Sequence, residues 1–262
     1  TGQYGHGMYS YNQASGGTIT FANSGTITTS GASGYGIYSN ANIGTENITN
    51  SGTITTSGNN GYGMISYNQG SGGTSTFTNS GTITTSGTYS FGMYFLNNGG
   101  TTTITNTSND TISTSGSSAH GIFVSNNTGT TTITNSGTIK VTGSSAVGVT
   151  LDGGVTLNNS GTISATGSAT EAIDSTGSGN DTLNLLAGSK ITGTIDLGDG
   201  TDTVNISGTE IINGCATASC MSSSMTFTGA ENINVSAPNA IHVASNGVAA
   251  TVDPTGNSVL GV

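Results

Sequence analysis

Apolar residues return along this chain at a long, nearly constant interval. The phrase Asn-Ser-Gly-Thr-Ile stands at 23–27, 50–54, 79–83, 135–139 and 159–163, and a degenerate Asn-Asp-Thr-Ile at 109–112 fills the gap. The isoleucines so placed are Ile27, Ile54, Ile83, Ile112, Ile139 and Ile163, at spacings of 27, 29, 29, 27 and 24 residues. A second phrase keeps step: Gly34-Tyr35-Gly36-Ile37, Gly61-Tyr62-Gly63-Met64, Ser90-Phe91-Gly92-Met93 and Ala119-His120-Gly121-Ile122, with weaker copies at 5–8 and 146–149. A third signal is one apolar residue two positions before the anchor Asn or its equivalent: Phe21, Ile48, Phe77, Ile104, Ile133 and Leu157. Each period therefore holds three short segments rich in β-branched residues, separated by Gly, Ser and Asn. Segments of this length with Thr-Ile-Thr alternation predict strands. No stretch has a helical period, and glycine at this density opposes helix.

Three strands and three turns per period predict an all-β chain, a single right-handed parallel β-helix with about three strands per 24–29-residue coil. One coil cannot bury its own apolar side, and stacking solves that. Alternation turns Ile27 inward and Thr26 and Thr28 outward. The six isoleucines then form one core ladder, the Phe21 series a second, and Met8, Ile37, Met64, Met93, Ile122 and Val149 a third. Gly25, Gly52, Gly81, Gly137 and Gly161 are expected at a corner with φ > 0. Asn23, Asn50, Asn79, Asn106, Asn135 and Asn159 fall at a turn, either as plain turn residues or as a hydrogen-bonded ladder along the stack. After Ile163 the pattern tightens. Asp-Thr-Leu-Asn-Leu and Asp-Thr-Val-Asn-Ile lie 21 residues apart. The expected organisation is regular coils with Asn-rich loops over 1–163, tighter coils over 164–243 and an exit segment over 244–262.

Composition narrows the partners. Among 262 residues there are 44 glycines, 31% apolar residues and 5% charged ones. Lys140 and Lys190 are the only fixed cations, against 12 acids, for a net charge of −10. Phosphate-binding surfaces need Lys and Arg, so nucleic acid is not an expected partner. A basic membrane-surface helix is not expected either. No apolar run approaches the roughly 18 residues of a span, and no cationic start leads into an apolar stretch. Low apolar content points towards disorder, but periodicity and abundant β-branched residues point to an ordered stack.

Three stretches resemble the secreted passenger of a type V autotransporter of Gram-negative bacteria. The tandem Asn-Ser-Gly-Thr-Ile coils are similar to those passengers' repeats. The segment 183–204, through Gly188-Ser189-Lys190-Ile191-Thr192-Gly193 and Leu197-Gly198-Asp199-Gly200-Thr201-Asp202, is similar to their later coils. Thr251-Val252-Asp253-Pro254-Thr255-Gly256 resembles the motif near the passenger–barrel junction. The family's membrane barrel is missing, which suits a released passenger or an excised piece. Thr1-Gly2 aligns with Ser30-Gly31 of the next repeat, so upstream sequence is expected to have been removed. The resemblance implies export and an extracellular or cell-surface location. It implies no particular activity, because adhesins, proteases, esterases and toxins share this scaffold.

The candidate sites are sparse. Cys215 and Cys220 enclose four residues. In an oxidising exterior this spacing predicts a small disulfide loop, with two free thiols as the alternative. His6 and His120 occupy the position of Tyr35, Tyr62 and Phe91, which makes them members of a ring column rather than ligands. His242 stands alone. Asp181 and Asp202 close half-copies of a calcium-binding nonapeptide, but that site needs copies every nine residues, and solvated turns are expected here. Glu171 with Asp174, and Asp196 with Asp199, are close carboxylate pairs, both expected in turns. No nucleophile motif with a suitable His and acid stands out. No enzyme activity, metal or cofactor is expected. Outward Thr26, Thr28, Thr53, Thr55, Thr82 and Thr84 make a two-column array, continued by Thr111 and Ser113 and interrupted by Lys140. It resembles an ice-binding face, or is simply exposed strand threonine. Asn40, Asn68, Asn97 and Asn126 mark loops 39–45, 67–73, 96–100 and 125–129, which line up on one side as a candidate recognition edge. The expected function is a structural or adhesive surface module. It would bind host or neighbouring cells, or itself, through long polar faces and would not insert into a membrane.

Overall fold

The computed structural model describes residues 2–207 apart from 14, 15, 42, 68, 69, 97 and 170, together with the strand backbones Ile212–Asn213, Met225–Thr228, Ala230–Val235, Ile241–Ser245, Val248–Val252 and Val259–Leu260. Among them there is no helix. The chain winds through three sheets in fixed order, named A, B and C. The first coil runs through Met8–Gln13, Thr18–Asn23 and Thr26–Thr29, the second through Ile37–Ala41, Thr45–Asn50 and Thr53–Thr56, and the third through Met64–Tyr67, Thr74–Asn79 and Thr82–Thr85. The fourth takes Met93–Leu96, Thr101–Asn106 and Thr111–Thr114, and the fifth Ile122–Ser125, Thr130–Asn135 and Thr138–Val141. The sixth takes Val147–Leu151, Val155–Asn159 and Thr162–Ala165, and the seventh Glu171–Ser175, Thr182–Leu185 and Lys190–Thr192. Each strand pairs in parallel with its equivalents above and below. This is a parallel β-solenoid. Pairing continues in parallel through Thr194–Asp196 and Met225–Thr228 to Ile241–Ser245, where Val248–Val252 and then Val259–Leu260 add antiparallel.

The register puts each repeated apolar residue on its own copy. Ile27, Ile54, Ile83, Ile112, Ile139, Ile163 and Ile191 stack in sheet C. The Phe21 and Met8 series stack in sheets B and A. From the second coil on, all three columns are fully buried and form one continuous cluster. The anchor asparagines are a ladder. Each side-chain amide donates to the next carboxamide oxygen, from Asn23 to Asn50, Asn79, Asn106, Asn135 and Asn159 in turn, at 2.7–2.9 Å.

Glycine serves this corner for a different reason from the one expected. None of Gly25, Gly52, Gly81, Gly137 and Gly161 has a left-handed backbone. From the second coil on they are needed for closeness: a Cβ on Gly52 would stand 2.0 Å from the Gly25 carbonyl oxygen, and one on Gly81 2.1 Å from that of Gly52, whereas one on Gly25, in the first coil, would meet nothing. While the B-to-C connection has left-handed Asn109 at φ 69° and Gly188 at 88°, a left-handed residue recurs between sheets C and A, at Ser33, Asn60, Tyr89, Ser118 and Ser145, with φ 50–55°. Beside them a second device closes the corner. Thr29, Thr56, Thr85 and Thr114 point inward and donate to the carbonyls of Gly34, Gly61, Ser90 and Ala119 at 2.5–2.7 Å.

Candidate interaction faces

The outer face of sheet A carries a ladder of rings. The first column is the expected one, His6, Tyr35, Tyr62, Phe91 and His120, with neighbouring centroids 4.7–5.1 Å apart. The glycine after each ring is forced by the interior. A Cβ on Gly36 would meet Ile54 Cγ2 at 2.4 Å, and one on Gly63 would meet Ile83 Cγ2 at the same distance. Sequence reasoning missed a second column, Tyr9, Tyr38, Tyr94 and Phe123, interrupted by Ile65. Its signal was available, since each member follows an inward Met or Ile by one residue and must face out. The two columns interlock, with Tyr35 on Tyr38 at 5.5 Å and His120 on Phe123 at 5.0 Å. Tyr9 and Tyr11 are more than half exposed. Burial pushes the hydroxyls of Tyr35, Tyr38, Tyr62 and Tyr94 up, so this part of the face carries no charge at neutral pH.

Both histidines are built into the stack as neutral acceptors. The Tyr35 amide donates to His6 Nδ1 at 3.2 Å, and the Val147 amide to His120 Nδ1 at 2.9 Å. Burial pushes His120 down to about 4 from 6.5. A depressed folded-state value means that the unfolded chain takes the proton first. Stability from this group is whole above pH 6.5 and is lost as pH falls towards 4, by about 3 kcal/mol in all. His120→Phe keeps the ring and removes the titration. Denaturant titrations at pH 7 and pH 4 should show a smaller acid loss for the variant, and an equal loss would refute the assignment.

Beyond the fifth coil the face turns acidic. Glu171 and Asp174 lie in strand Glu171–Ser175, and Asp196 closes strand Thr194–Asp196 in register with Asp174. These acids are therefore on the sheet and not in turns; only Asp199 sits in one. Burial, then repulsion from Glu171 and Asp196, pushes Asp174 up.

Asp181 and Asp202 are likewise not solvated. Both are buried, at 1% and 0% exposure, because each caps the backbone of the coil before it. The Val155 amide donates to Asp181 Oδ1 at 2.6 Å, and the Asp181 amide to Asp202 Oδ1 at 2.7 Å. Among the described residues no three of His, Cys, Asp or Glu gather in a group that could hold a metal ion. The most isolated acid went unnoticed in the sequence. Glu46 is fully buried, with Ser39 donating to Oε1 at 2.5 Å and Ser66 and Ser75 to Oε2 at 2.7 and 2.5 Å.

The threonine columns are where alternation puts them. Thr26, Thr53, Thr82, Thr111, Thr138 and Thr162 stand in register on sheet C, as do Thr28, Thr55, Thr84, Ser113, Lys140 and Ser164. Sheet B carries a larger array that was not anticipated. Thr74, Thr76 and Thr78 lie in register with Thr101, Thr103 and Thr105 and with Thr130, Thr132 and Thr134. The recognition edge fares differently. Asn40 is buried at 4% exposure within strand Ile37–Ala41, on the same side as Tyr38, to whose hydroxyl its amide donates at 3.3 Å, and Asn98 and Asn127 are buried in the turns that follow their own sheet A strands. The short A-to-B connection turns an amide inward, where Asn127 donates to the carbonyls of Gly129 and Gly153. Asn126 is exposed, its backbone amide donating to Asp152 Oδ2 at 2.7 Å. Asn68, Asn97, Cys215, Cys220 and the side chain of His242 lie outside the described residues.

The fold defines a class, that of parallel β-solenoid repeat proteins. Set against protein-family models, curated proteins and solved structures, the chain matches none.

Proposed function

We propose that this chain is a non-enzymatic structural and adhesive module of the autotransporter-passenger kind. In this reading it is displayed or released outside a Gram-negative cell and acts by presenting its long faces to surface components of host or neighbouring cells, or to further copies of itself. The observation that carries the reading is the ring ladder on sheet A. A row of partly exposed Tyr rings and Phe123, backed by buried Phe91 and held on a rigid sheet, is contact area already ordered, so binding costs little side-chain entropy. Contiguous apolar surface of this kind marks interaction sites. The test is adhesion of the purified chain to cells, matrix proteins and immobilised glycans, with Tyr9→Ser plus Tyr38→Ser as comparison. Binding reduced by the variant is expected. Binding by neither protein, with the parent chain also monomeric at high concentration, would refute the reading.

One observation favours a second reading, ice binding. The threonine columns of sheets B and C are in register over several coils, a two-dimensional lattice at about 4.8 Å by about 6.7 Å. Thermal hysteresis abolished by Thr103→Lys or by Thr53→Lys plus Thr82→Lys would establish it; absence of any hysteresis in the parent chain would remove it.

A further inference from the structure

Charge is segregated by face. The strands of sheet C bear both lysines of the chain, Lys140 and Lys190, each exposed, and no acid. The strands of sheet A bear Glu171, Asp174 and Asp196 and no lysine. In sheet B, Glu46 and Asp202 turn to the interior, both at 0% exposure, and Glu231 lies in strand Ala230–Val235 with its side chain outside the described residues. A single copy thus holds opposite charges on two different sides of a prism.

We propose that the outer face of sheet A docks side by side on the outer face of sheet C of a second copy. The inference rests on the self-associating half of the functional reading and names the surfaces. Three pairings of these two faces are available between identical chains. Face A on face A, with coils level, sets carboxylates against carboxylates, and face C on face C sets lysines against lysines. Only A on C joins opposite signs. Lys190 lies in the seventh coil, the same coil as Glu171 and Asp174. Two copies with parallel axes and level coils therefore bring Lys190 of one opposite Glu171 and Asp174 of the next. Lys140, two coils earlier, adds the same sign to face C. The first four coils then set the ring ladder against the threonine columns, rings against methyl groups, with no charge to desolvate, and in the fifth Lys140 comes level with the rings of His120 and Phe123. The rings supply area, and the charges fix register and choice of face. Asp174 fits this arrangement, because its burial and its acidic neighbours find relief in a cation from outside the chain. The contact is heterologous and leaves a free A face and a free C face at the ends of each pair, so it propagates into rows instead of closing.

The test uses the whole chain and charge exchange. One variant carries Glu171→Lys, Asp174→Lys and Asp196→Lys; the other carries Lys140→Glu and Lys190→Glu. Each has like charges on both faces. Light scattering and sedimentation across a dilution series should show assembly of the parent, weakening as ionic strength rises past about 0.1 M. Each variant alone should need about tenfold more protein to assemble, and an equimolar mixture should recover assembly by pairing across the two. If the triple lysine variant does not fold by circular dichroism, Glu171→Gln with Asp174→Asn and Asp196→Asn replaces it, and loss of the salt dependence is then the expected result. Assembly that both variants retain unchanged overturns this pairing of faces and leaves self-association standing. A parent chain that stays monomeric overturns the pairing and self-association together, while adhesion to foreign cells stands or falls on the separate binding measurement.

Discussion

Ile83→Asp should unfold the middle of the stack, at a cost above about 4 kcal/mol, while Thr82→Asp next to it should change stability by about 0.5 kcal/mol or less. Ile83 is fully buried between Ile54 and Ile112. Its Cγ2 fills the space that Gly63 leaves by having no Cβ. A carboxylate there has no cation and no donor aimed at it. Thr82 is exposed on the other side of the same strand. In a solenoid each coil touches only its neighbours, so damage in the third coil separates the first two from the rest. Thermal melts followed by circular dichroism check this. The expected result is an early partial transition for Ile83→Asp and a parent-like curve for Thr82→Asp. Equal melting of the two variants would refute the inward and outward assignment.

Asn79→Ala should cost roughly 3 kcal/mol or more. It deletes an acceptor for Asn50 at 2.8 Å and a donor to Asn106 at 2.8 Å, and it frees the Gly81 carbonyl, which Asn79 also serves. All three asparagines are fully buried, so water does not replace what is lost. Asn79→Asp should not rescue, because it restores the acceptor but turns a second oxygen towards the Asn106 carboxamide oxygen. The control is Asn184→Ala. Asn184 stands in a second ladder, between Asn158 and Asn205 at 2.7 Å each, but partly exposed on the outside of sheet B. There water takes over, and a loss of about 1 kcal/mol or less is expected. Denaturant midpoints of the two alanine variants decide the matter, and a buried-ladder variant as stable as the outer one would refute it.

What the sequence by itself determined is whatever repeats. In a parallel solenoid, residues one period apart become neighbours one strand spacing apart. A position that recurs every 24–29 residues is therefore a column by periodicity alone. The isoleucine, methionine and Phe21 columns, the outward threonines, the ring column with His6 and His120 and the column of asparagines were all legible for that reason, while the structure decided between plain turn residues and a hydrogen-bonded ladder for the last. The tertiary structure decided what does not repeat and what depends on how one sheet turns into the next. Glu46 shares its column with Ile19, Ser75 and Thr102, so periodicity gave no hint of an acid, and only the meeting of sheets A and B brings Ser39 and Ser66 to it. Asp181 and Asp202 have the composition of solvent turns, but the tighter coils set each carboxylate over an amide of the coil before it. Asn40 has the composition of an exposed loop, but it lies in strand Ile37–Ala41 and is covered by Tyr38, to whose hydroxyl its amide donates. At the B-to-C corner, glycine is required by the 2.0–2.3 Å at which a Cβ would meet the preceding coil's carbonyl at Gly52, Gly81, Gly137 and Gly161, a distance set by stacking and invisible to local φ preferences.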